Sequence, residues 1–359
     1  MSNTLKVHVD TPETYQPQMI VGQRFLANVE ALSDTQVSSP KFNPDLLRTE
    51  EVRLGISLND DPEEFVNVHN TFIREFQERL QSKLQPGIEK TVEAVATYLA
   101  KGDERKYQNW KNIFHLRVAS YKQILVTDHL NSGRMADNSP LSTSITVNSF
   151  WGLIDAEESD AVLDKIILPH EIIHSLTTHA RTKGGIKTDF FVMDLPSRNG
   201  LSTTHLSDAK PEEKNTGATT HGEWLNEAYI EDLRSQIFST DEVGYPRPVA
   251  VLRMLKDLDK GLELALDSSA FGPEGPGNVI GRIEGILGPL GVEAIDDLIS
   301  NNWDSDKNEI VPLYQDPDFI NKVVGLVDKD LKVRAEASLK LHLSSVKPVP
   351  IPNNLRSGH

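Results

Sequence analysis

The chain has 359 residues, of which 38% are hydrophobic and 25% are charged, proportions that are ordinary for a globular protein. Its formal net charge of −16 argues against a nucleic-acid partner, because phosphate binding needs clustered Lys and Arg side chains. Cysteine is absent, which excludes disulfides, a Cys-ligated metal site and a Cys nucleophile. Residues 1–18 are polar and no long apolar run follows, so we expect no signal peptide, no membrane association and, by default, a cytoplasmic protein.

The N-terminal part is expected to be an arm followed by helices. Residues 1–48 are polar with scattered prolines, which favours an extended arm, and residues 53–58 are typical of a short strand. Two amphipathic helices should follow, one beginning at Asp61-Pro62 and one over 86–100. Their apolar residues have the three- and four-residue spacing of helices that face a core: Phe65, Val68, Phe72, Phe76 and Leu80 in the first, and Ile88, Val92, Val95 and Leu99 in the second.

The pattern then changes to that of strands. Residues 115–119, 122–128 and 142–148 are rich in β-branched residues or alternate in polarity, and Gly, Asn, Asp and Pro separate them. We therefore predict three short strands ahead of an apolar helix that includes residues 161–176.

That helix contains the pattern H-E-x-x-H in the run 168–174. On a helix, His170 and His174 lie one turn apart on one face with Glu171 beside them, a geometry suited to holding Zn²⁺ and deprotonating a water molecule. Pro169 removes a backbone hydrogen bond, so we expect the helix to start or to kink near Leu168. The longer pattern H-E-x-x-H-x-x-G-x-x-H, which supplies a third histidine, does not fit. Its glycine stands three residues after the second histidine, and here that position is Thr177. His179 is accordingly expected to lie at the surface or behind the ligands.

A second segment, residues 224–231, has the sequence W-L-N-E-A-Y-I-E on an amphipathic helix predicted over 223–238. Together, H-E-x-x-H and N-E-A-x-x-E resemble the motifs of the thermolysin-like superfamily of zinc peptidases, the gluzincins. The resemblance implies that Glu227 is the third zinc ligand. Asn226 and Glu231 would lie behind the ligands, where Glu231 can accept the N–H of a zinc-bound imidazole and fix its tautomer.

The same resemblance implies an α+β, zincin-like fold, with a small twisted sheet, a central zinc helix and a helical C-terminal lobe. Residues 143–147 are the candidate for an edge strand that pairs with substrate, and an interior strand without substrate contact is the alternative. The corresponding regions are a helical N-terminal region over 49–110, an upper subdomain over 111–221 and a lower helical subdomain over 222–346.

The link between His174 and Glu227 is long, at 53 residues. Residues 186–193 and 200–204 are typical of two strands around a Pro-Ser-Arg-Asn-Gly turn, and a polar loop follows over 207–220. We expect an inserted hairpin near the site that shapes substrate entry or acts as a lid.

Residues 245–255 resemble the Y-x-K-G-x-x-V-L-R-M-L segment of the aminopeptidase N-like gluzincins, with Tyr, Val, Leu, Arg, Met and Leu in register. The resemblance implies that Tyr245 donates a hydrogen bond to the oxyanion of the tetrahedral intermediate. A tyrosine buried at a helix entry is the structural alternative, and His221 is the second candidate donor. The chain departs from that family at Pro246-Arg247-Pro248 and has no G-x-M-E-N segment, so an aminopeptidase is not implied.

The C-terminal third is expected to be helical, with helices over 249–266, 279–287, 292–299 and 319–343 and a loose tail over 347–359. From these patterns we expect a zinc metallopeptidase, an endopeptidase that acts on a peptide or protein substrate with Glu171 as general base. The alternative is a zincin-fold binding or regulatory module that does not hydrolyse peptides. An intact Glu171 and an open set of three ligands favour the enzyme, because structural zinc sites are usually closed by four ligands.

Overall fold

The computed structural model describes residues 44–127, 136–137, 144–181, 197–206, 218–303 and 317–349. The first element is helix α1 (Pro44–Leu54), so most of the predicted arm lies outside the described residues and the strand predicted over 53–58 is wrong. The chain turns at Gly55, where φ is 72°. Beyond it, the Glu51 carboxylate accepts hydrogen bonds from the Leu58 amide at 2.8 Å and the Ser57 hydroxyl at 3.1 Å. These local bonds hold the segment as a turn.

A single 39-residue helix, α2 (Pro62–Ala100), replaces the two predicted helices. Asp61 caps it by accepting a hydrogen bond from the Glu64 amide at 2.9 Å. Pro86 lies inside the helix on its exposed face, where water can solvate the carbonyl that loses its helix partner. The apolar stripe runs past Pro86 without a break, so core burial keeps the helix continuous; its buried members include Leu80, Leu84, Ile88, Val92 and Val95.

Helix α3 (Glu104–Val118) contains most of the strand predicted over 115–119, which is therefore wrong. Phe114 and Val118, four residues apart, are both buried, whereas Leu116 between them is 79% exposed. The alternating pattern in this stretch thus belongs to one turn of an amphipathic helix.

A small mixed sheet follows, made of β1 (Gln123–Thr127), β2 (Ala136–Asp137) and β3 (Ser144–Asn148). The strand order is β1-β3-β2, with β1 and β3 parallel, and Ile124 and Ile145 are paired in register. The predictions of strands over 122–128 and 142–148 are confirmed. Of the two alternatives for residues 143–147, the edge strand is wrong and an interior strand is found, because β3 pairs with β1 on one side and with β2 on the other.

The motif helix follows as α4 (Ala156–Val162), a π turn (Leu163–Ile167) and α5 (Leu168–Leu176). Next comes an antiparallel sheet in the order β4 (His179–Arg181), β5 (Ser197–Asn199), β6 (Ser202–Leu206) and β7 (Ala218–His221). An insertion is present, but it forms a four-stranded sheet in place of the predicted hairpin. Its tight turn lies at Gly200-Leu201, Ser197–Asn199, predicted as turn, form a strand, and residues 218–220, predicted as loop, belong to β7. The strand predicted over 186–193 lies outside the described residues.

The C-terminal part begins with α6 (Glu223–Ile237), β8 (Glu242–Val243) and α7 (Pro246–Leu258). It continues with α8 (Leu262–Phe271), α9 (Gly277–Leu287), α10 (Gly291–Trp303), α11 (Pro317–Leu326) and α12 (Lys332–Ser345). The helix predicted over 249–266 is split because Asp259 accepts a hydrogen bond from the Gly261 amide at 2.8 Å, which stabilises a turn. The helix predicted over 319–343 is likewise two helices, with a turn at 327–331.

The predicted loose tail begins as a strand instead. Residues Lys347–Pro348 form β9, which pairs in parallel with β8, and Val349 is buried. The pairing ties the end of the described chain to the segment that leads into α7. Residues 350–359 lie outside the described part of the chain.

The described chain is mostly helical with small sheets and belongs to the α+β class. One connected core of buried apolar side chains takes residues from all three predicted regions, such as Leu80, Ile172 and Leu252. Helices α2 and α5 meet closely at Gly87, where a Cβ atom would lie 3.6 Å from Ile172 Cδ1. Among the described residues, no helix is long and apolar enough to cross a membrane.

Candidate metal centre

The helical run 156–176, here called the metal helix, positions the H-E-x-x-H residues. The chain is helical on both sides of Pro169, and the expected start or kink takes the form of the π turn, in which the Leu168 amide donates to the Leu163 carbonyl five residues earlier. Such a turn is one way in which a helix accommodates a lost i-to-i−4 bond. The proline is therefore tolerated without ending the helix, and the residues after it stay in register.

Other side chains satisfy the C-terminal end of the metal helix. Arg117, from α3, donates to the Leu176 carbonyl with one guanidinium nitrogen and to the Phe271 carbonyl with another, the latter at 2.9 Å. The Thr177 hydroxyl donates to the His174 carbonyl at 2.7 Å. Because the last carbonyls of a helix have no partner within it, these bonds fix where the helix ends relative to α3 and α8.

The two motif imidazoles face each other across one helical turn. His170 Nε2 and His174 Nε2 are 3.0 Å apart, and both side chains are more than nine-tenths buried. Their Nδ1 atoms point away from each other toward different residues of α6. Each ring therefore has one nitrogen free to face a shared point and the other available for an orienting contact.

Glu227 of α6 adds an oxygen to the two nitrogens. Its Oε2 lies 3.2 Å from His170 Nε2 and 3.3 Å from His174 Nε2, so the three atoms form a nearly equilateral triangle. Ligand atoms about 2.0–2.1 Å from a tetrahedral zinc ion are about 3.3 Å from one another, and two imidazoles with one carboxylate are a common donor set for zinc. The triangle fits such an ion, and these three residues form the group in the described chain that could hold a metal.

The charges around the imidazoles are mainly negative. Burial alone would lower the pKa of His170, but the carboxylates of Glu231, Glu227 and Glu171 outweigh it and raise that pKa well above its ordinary value. Burial would raise the pKa of Glu227, whereas the two imidazoles lower it well below its ordinary range. The carboxylates thus create a field that favours positive charge at the triangle, as a divalent cation requires.

Glu231 and Asn226 lie behind the two imidazoles, one beside each. Glu231 Oε1 is 3.4 Å from His170 Nδ1, somewhat longer than an ordinary hydrogen bond. The Asn226 side-chain amide lies 3.4 Å from His174 Nδ1, and its oxygen accepts a hydrogen bond from the Leu201 amide at 3.0 Å. Both residues thus lie behind the imidazoles, Glu231 beside His170 and Asn226 beside His174.

Glu171 and Tyr245 belong to the same site. Glu171 is buried next to His170, and its charge helps to raise the pKa of both His170 and Tyr245. The Tyr245 ring centroid is 5.9 Å from that of His170, at the residue that precedes α7. Burial raises the pKa of Tyr245 well above its ordinary value, and the charges of Glu227 and Glu171 add to the shift. Its phenol therefore stays protonated and able to donate at neutral pH.

His221 is described by its backbone alone. It ends β7, pairs with Thr203 and precedes Gly222, whose amide donates to Asp296 Oδ2 at 3.1 Å. His179 likewise lies in β4, paired with Asn199, and its side chain is outside the described part of the structure. Neither the second candidate donor nor the rejected third histidine is therefore placed relative to the triangle.

The sequence patterns did not identify three residues that hold the site in place: Arg234, which bonds Glu231; Arg117, which bonds the end of the metal helix; and Leu201, whose amide bonds Asn226. Arg234 was detectable in principle, since it follows Glu231 by three residues on the same helix face and an Arg at that spacing can pair with a carboxylate. Arg117 and the backbone amide of Leu201 carry no local signal. Their roles depend on helices and strands far apart in the chain.

No protein-family model, curated protein or solved structure matches this chain.

Proposed function

We propose that this protein is a zinc-dependent metallopeptidase of the gluzincin type. The observation that carries the proposal is the triangle of His170 Nε2, His174 Nε2 and Glu227 Oε2, with sides of 3.0, 3.2 and 3.3 Å. Three protein ligands leave a coordination position open, as catalytic zinc sites do and closed structural sites do not. Glu171, adjacent to the first ligand, and Tyr245, packed beside it, add an acid–base group and a donor.

The overall arrangement supports a zincin-like fold as part of this proposal. A small sheet (β1–β3) precedes the metal helix, and a helical region that begins with α6 follows it and contributes the third donor. The four-stranded sheet β4–β7 is inserted between the ligand helices, which accounts for the long link from His174 to Glu227.

The chain's own residues would divide the work of hydrolysis. When bound, zinc supplies the Lewis-acid chemistry that acidifies a water molecule and polarises a carbonyl group. The Glu171 carboxylate would accept the proton of the attacking water and pass it to the departing amine. The Tyr245 phenol would donate a hydrogen bond to the carbonyl oxygen as negative charge develops there. His170, His174 and Glu227 would bind the ion, with Glu231 and Asn226 keeping the imidazoles oriented.

The proposed substrates are peptides or proteins cleaved internally. The chain lacks the G-x-M-E-N segment with which aminopeptidases of the related type capture a free amine, so nothing in its motifs restricts cleavage to the N-terminus. We therefore propose that the protein is an endopeptidase.

The test is a comparison of the purified wild-type protein, the chelated and zinc-reloaded protein, and the Glu171→Gln variant on a library of peptides blocked at both ends. Wild-type and reloaded protein should cleave, the chelated protein should not, and Glu171→Gln should lose about 10²–10⁴-fold in rate while it retains zinc. Zinc binding without any cleavage would favour the alternative, a binding or regulatory module. Absence of zinc binding by the wild-type protein would refute the metal site itself.

A further inference from the structure

Arg234 is an arginine with no exposed surface in the interior of α6. Its Nε donates to Glu231 Oε2 at 2.6 Å, one terminal nitrogen donates to the Lys165 carbonyl at 3.1 Å, and the other donates to the Glu242 carbonyl. One side chain thus connects α6, the metal helix and β8. Burying a charge of this kind is costly unless it is fully paired, so the three acceptors have to be held in place together.

The Lys165 carbonyl is the one that Pro169 leaves without its usual helix partner. In an α-helix this carbonyl would accept from the amide four residues later, and proline has no amide hydrogen. Arg234 supplies a donor to this carbonyl, five residues before His170. The guanidinium therefore bonds the metal helix at the irregular turn that precedes the first ligand.

Both oxygens of Glu231 are held by donors. Oε2 accepts from Arg234, and Oε1 accepts from the Gly244 amide at 3.0 Å and faces His170 Nδ1 at 3.4 Å. With both oxygens held, the carboxylate cannot rotate without losing a charge-assisted bond. The oxygen presented to His170 is thus fixed by Arg234 and the Gly244 backbone.

We propose that Arg234 is a positioning residue that sets the orientation of His170 through Glu231: the bond to the Lys165 carbonyl anchors the planar guanidinium fork, and the bond to Glu231 Oε2 fixes the carboxylate that faces His170. The inference rests on the proposed metal site and extends it to a residue that does not touch the metal. Lysine cannot replace the fork, because its ammonium group is a point charge on a flexible stem.

A matched control lies on the neighbouring helix. Arg253 of α7 donates to Asp232 Oδ1 at 2.6 Å and to the Ser235 hydroxyl at 2.8 Å, so like Arg234 it is paired with a carboxylate of α6, although its side chain is 21% exposed. Within the described part of the chain, Asp232 and Ser235 make no hydrogen bond or ion pair with His170, His174 or Glu227; Asp232 instead pairs with Lys256 and accepts a hydrogen bond from Gln236. Arg253→Lys should therefore report the general cost of replacing such an arginine in this part of the fold.

The experiment measures zinc affinity by chelator competition, the visible spectrum of the Co²⁺-substituted protein, and the melting temperature. The proteins compared are the wild type, Arg234→Lys, Arg253→Lys, Glu231→Gln and the double variant Glu231→Gln/Arg234→Met. We expect Arg234→Lys and Glu231→Gln each to weaken zinc binding about 10–100-fold and to alter the cobalt spectrum. The double variant should bind zinc as Glu231→Gln does, because Arg234 acts through Glu231. Arg253→Lys should leave both metal readouts unchanged.

Wild-type zinc affinity and cobalt spectrum in Arg234→Lys would overturn the proposal, as would equal weakening in Arg253→Lys. If Arg234→Lys does not fold, the neutral double variant decides: zinc affinity within about twofold of that of Glu231→Gln supports the proposal, and any larger further loss overturns it. Failure of the wild-type protein to bind zinc would instead refute the proposed function.

Discussion

The Leu201 amide donates a hydrogen bond to Asn226 Oδ1 at 3.0 Å, which joins the turn of the inserted sheet to the residue that precedes the third proposed ligand. The turn is also bonded to the segment that directly follows the metal helix, because the Gly200 amide donates to the Thr178 carbonyl at 3.0 Å. The insertion is therefore bonded both to α6 and to the segment that follows the metal helix. Its tight turn thus holds Asn226, whose side-chain amide lies 3.4 Å from His174 Nδ1.

Gly200→Ala should reduce both stability and zinc affinity. Gly200 has a φ of 57°, and a Cβ atom there would overlap Asn226 Oδ1 and lie 3.3 Å from Thr177 Cβ. Gly102→Ala is the matched control, since Gly102 has a φ of 86° but nothing within 4 Å of a new Cβ. We expect the control to lose about 1–2 kcal/mol of unfolding free energy from backbone strain alone and to bind zinc normally. Equal effects of the two substitutions on zinc affinity would mean that the Asn226 contact does not matter for the metal.

Replacing His170, His174 or Glu227 by Ala should each strongly lower metal affinity. The three donor atoms form one triangle, and two remaining ligands hold zinc far more weakly than three. Zinc content per chain after dialysis, together with chelator competition, measures the effect. Glu223→Ala, one turn before Glu227 on the exposed part of α6, should keep its zinc. One zinc per chain retained in all three ligand variants would show that the site lies elsewhere.

Tyr245→Phe should lower kcat and kcat/KM together, with zinc content and melting temperature nearly unchanged. The phenol is a protonated donor beside His170, and loss of one donor to a developing oxyanion typically costs about 10²–10³-fold in turnover. Steady-state kinetics on the best library peptide gives the answer, and His221→Ala, assayed in parallel, tests the second candidate. Wild-type kinetics in Tyr245→Phe would show that Tyr245 is not the donor to the oxyanion. A loss of activity in His221→Ala would then assign that role to His221.

Asp267 should make the stability of the apo protein depend on pH. Burial raises its pKa from 3.8 to about 6, although the Tyr229 hydroxyl, which donates to Oδ1 at 2.9 Å, opposes the shift. The folded state therefore binds the proton more tightly than the unfolded state, so this contribution to stability is present below about pH 4 and is lost as the pH rises through about 6. Asp267→Asn carries a neutral isostere and does not lose this contribution. The unfolding free energy of the variant minus that of the wild type should therefore rise by on the order of 3 kcal/mol from about pH 4 to pH 7.5. Urea unfolding in chelator at both pH values measures it, and a difference that does not change with pH would contradict the assignment.

Several elements were predictable because their signal is local. The strand over 122–128 and the helix over 223–238 follow from the spacing of apolar residues along a few turns or a few alternating positions. The same kind of signal was misleading at 115–119, where burial of Phe114 and Val118 on one face selects a helix. The local spacing of apolar residues also could not show that α2 continues past Pro86. The free-energy cost of a proline within a helix depends on whether it lies on the exposed or the buried side of that helix.

The sequence by itself determined that His170 and His174 share a helix face with Glu171 beside them, because a spacing of four residues in a helix places two side chains one turn apart. Only the tertiary structure decided what meets that face. Glu227 is 53 residues away from His174, Arg234 is 69 residues away from Lys165, and β3 lies in the middle of its sheet rather than at its edge. Such contacts depend on how whole helices and strands pack against a common core. No short pattern encodes that packing, because it results from many apolar contacts between segments distant in the chain.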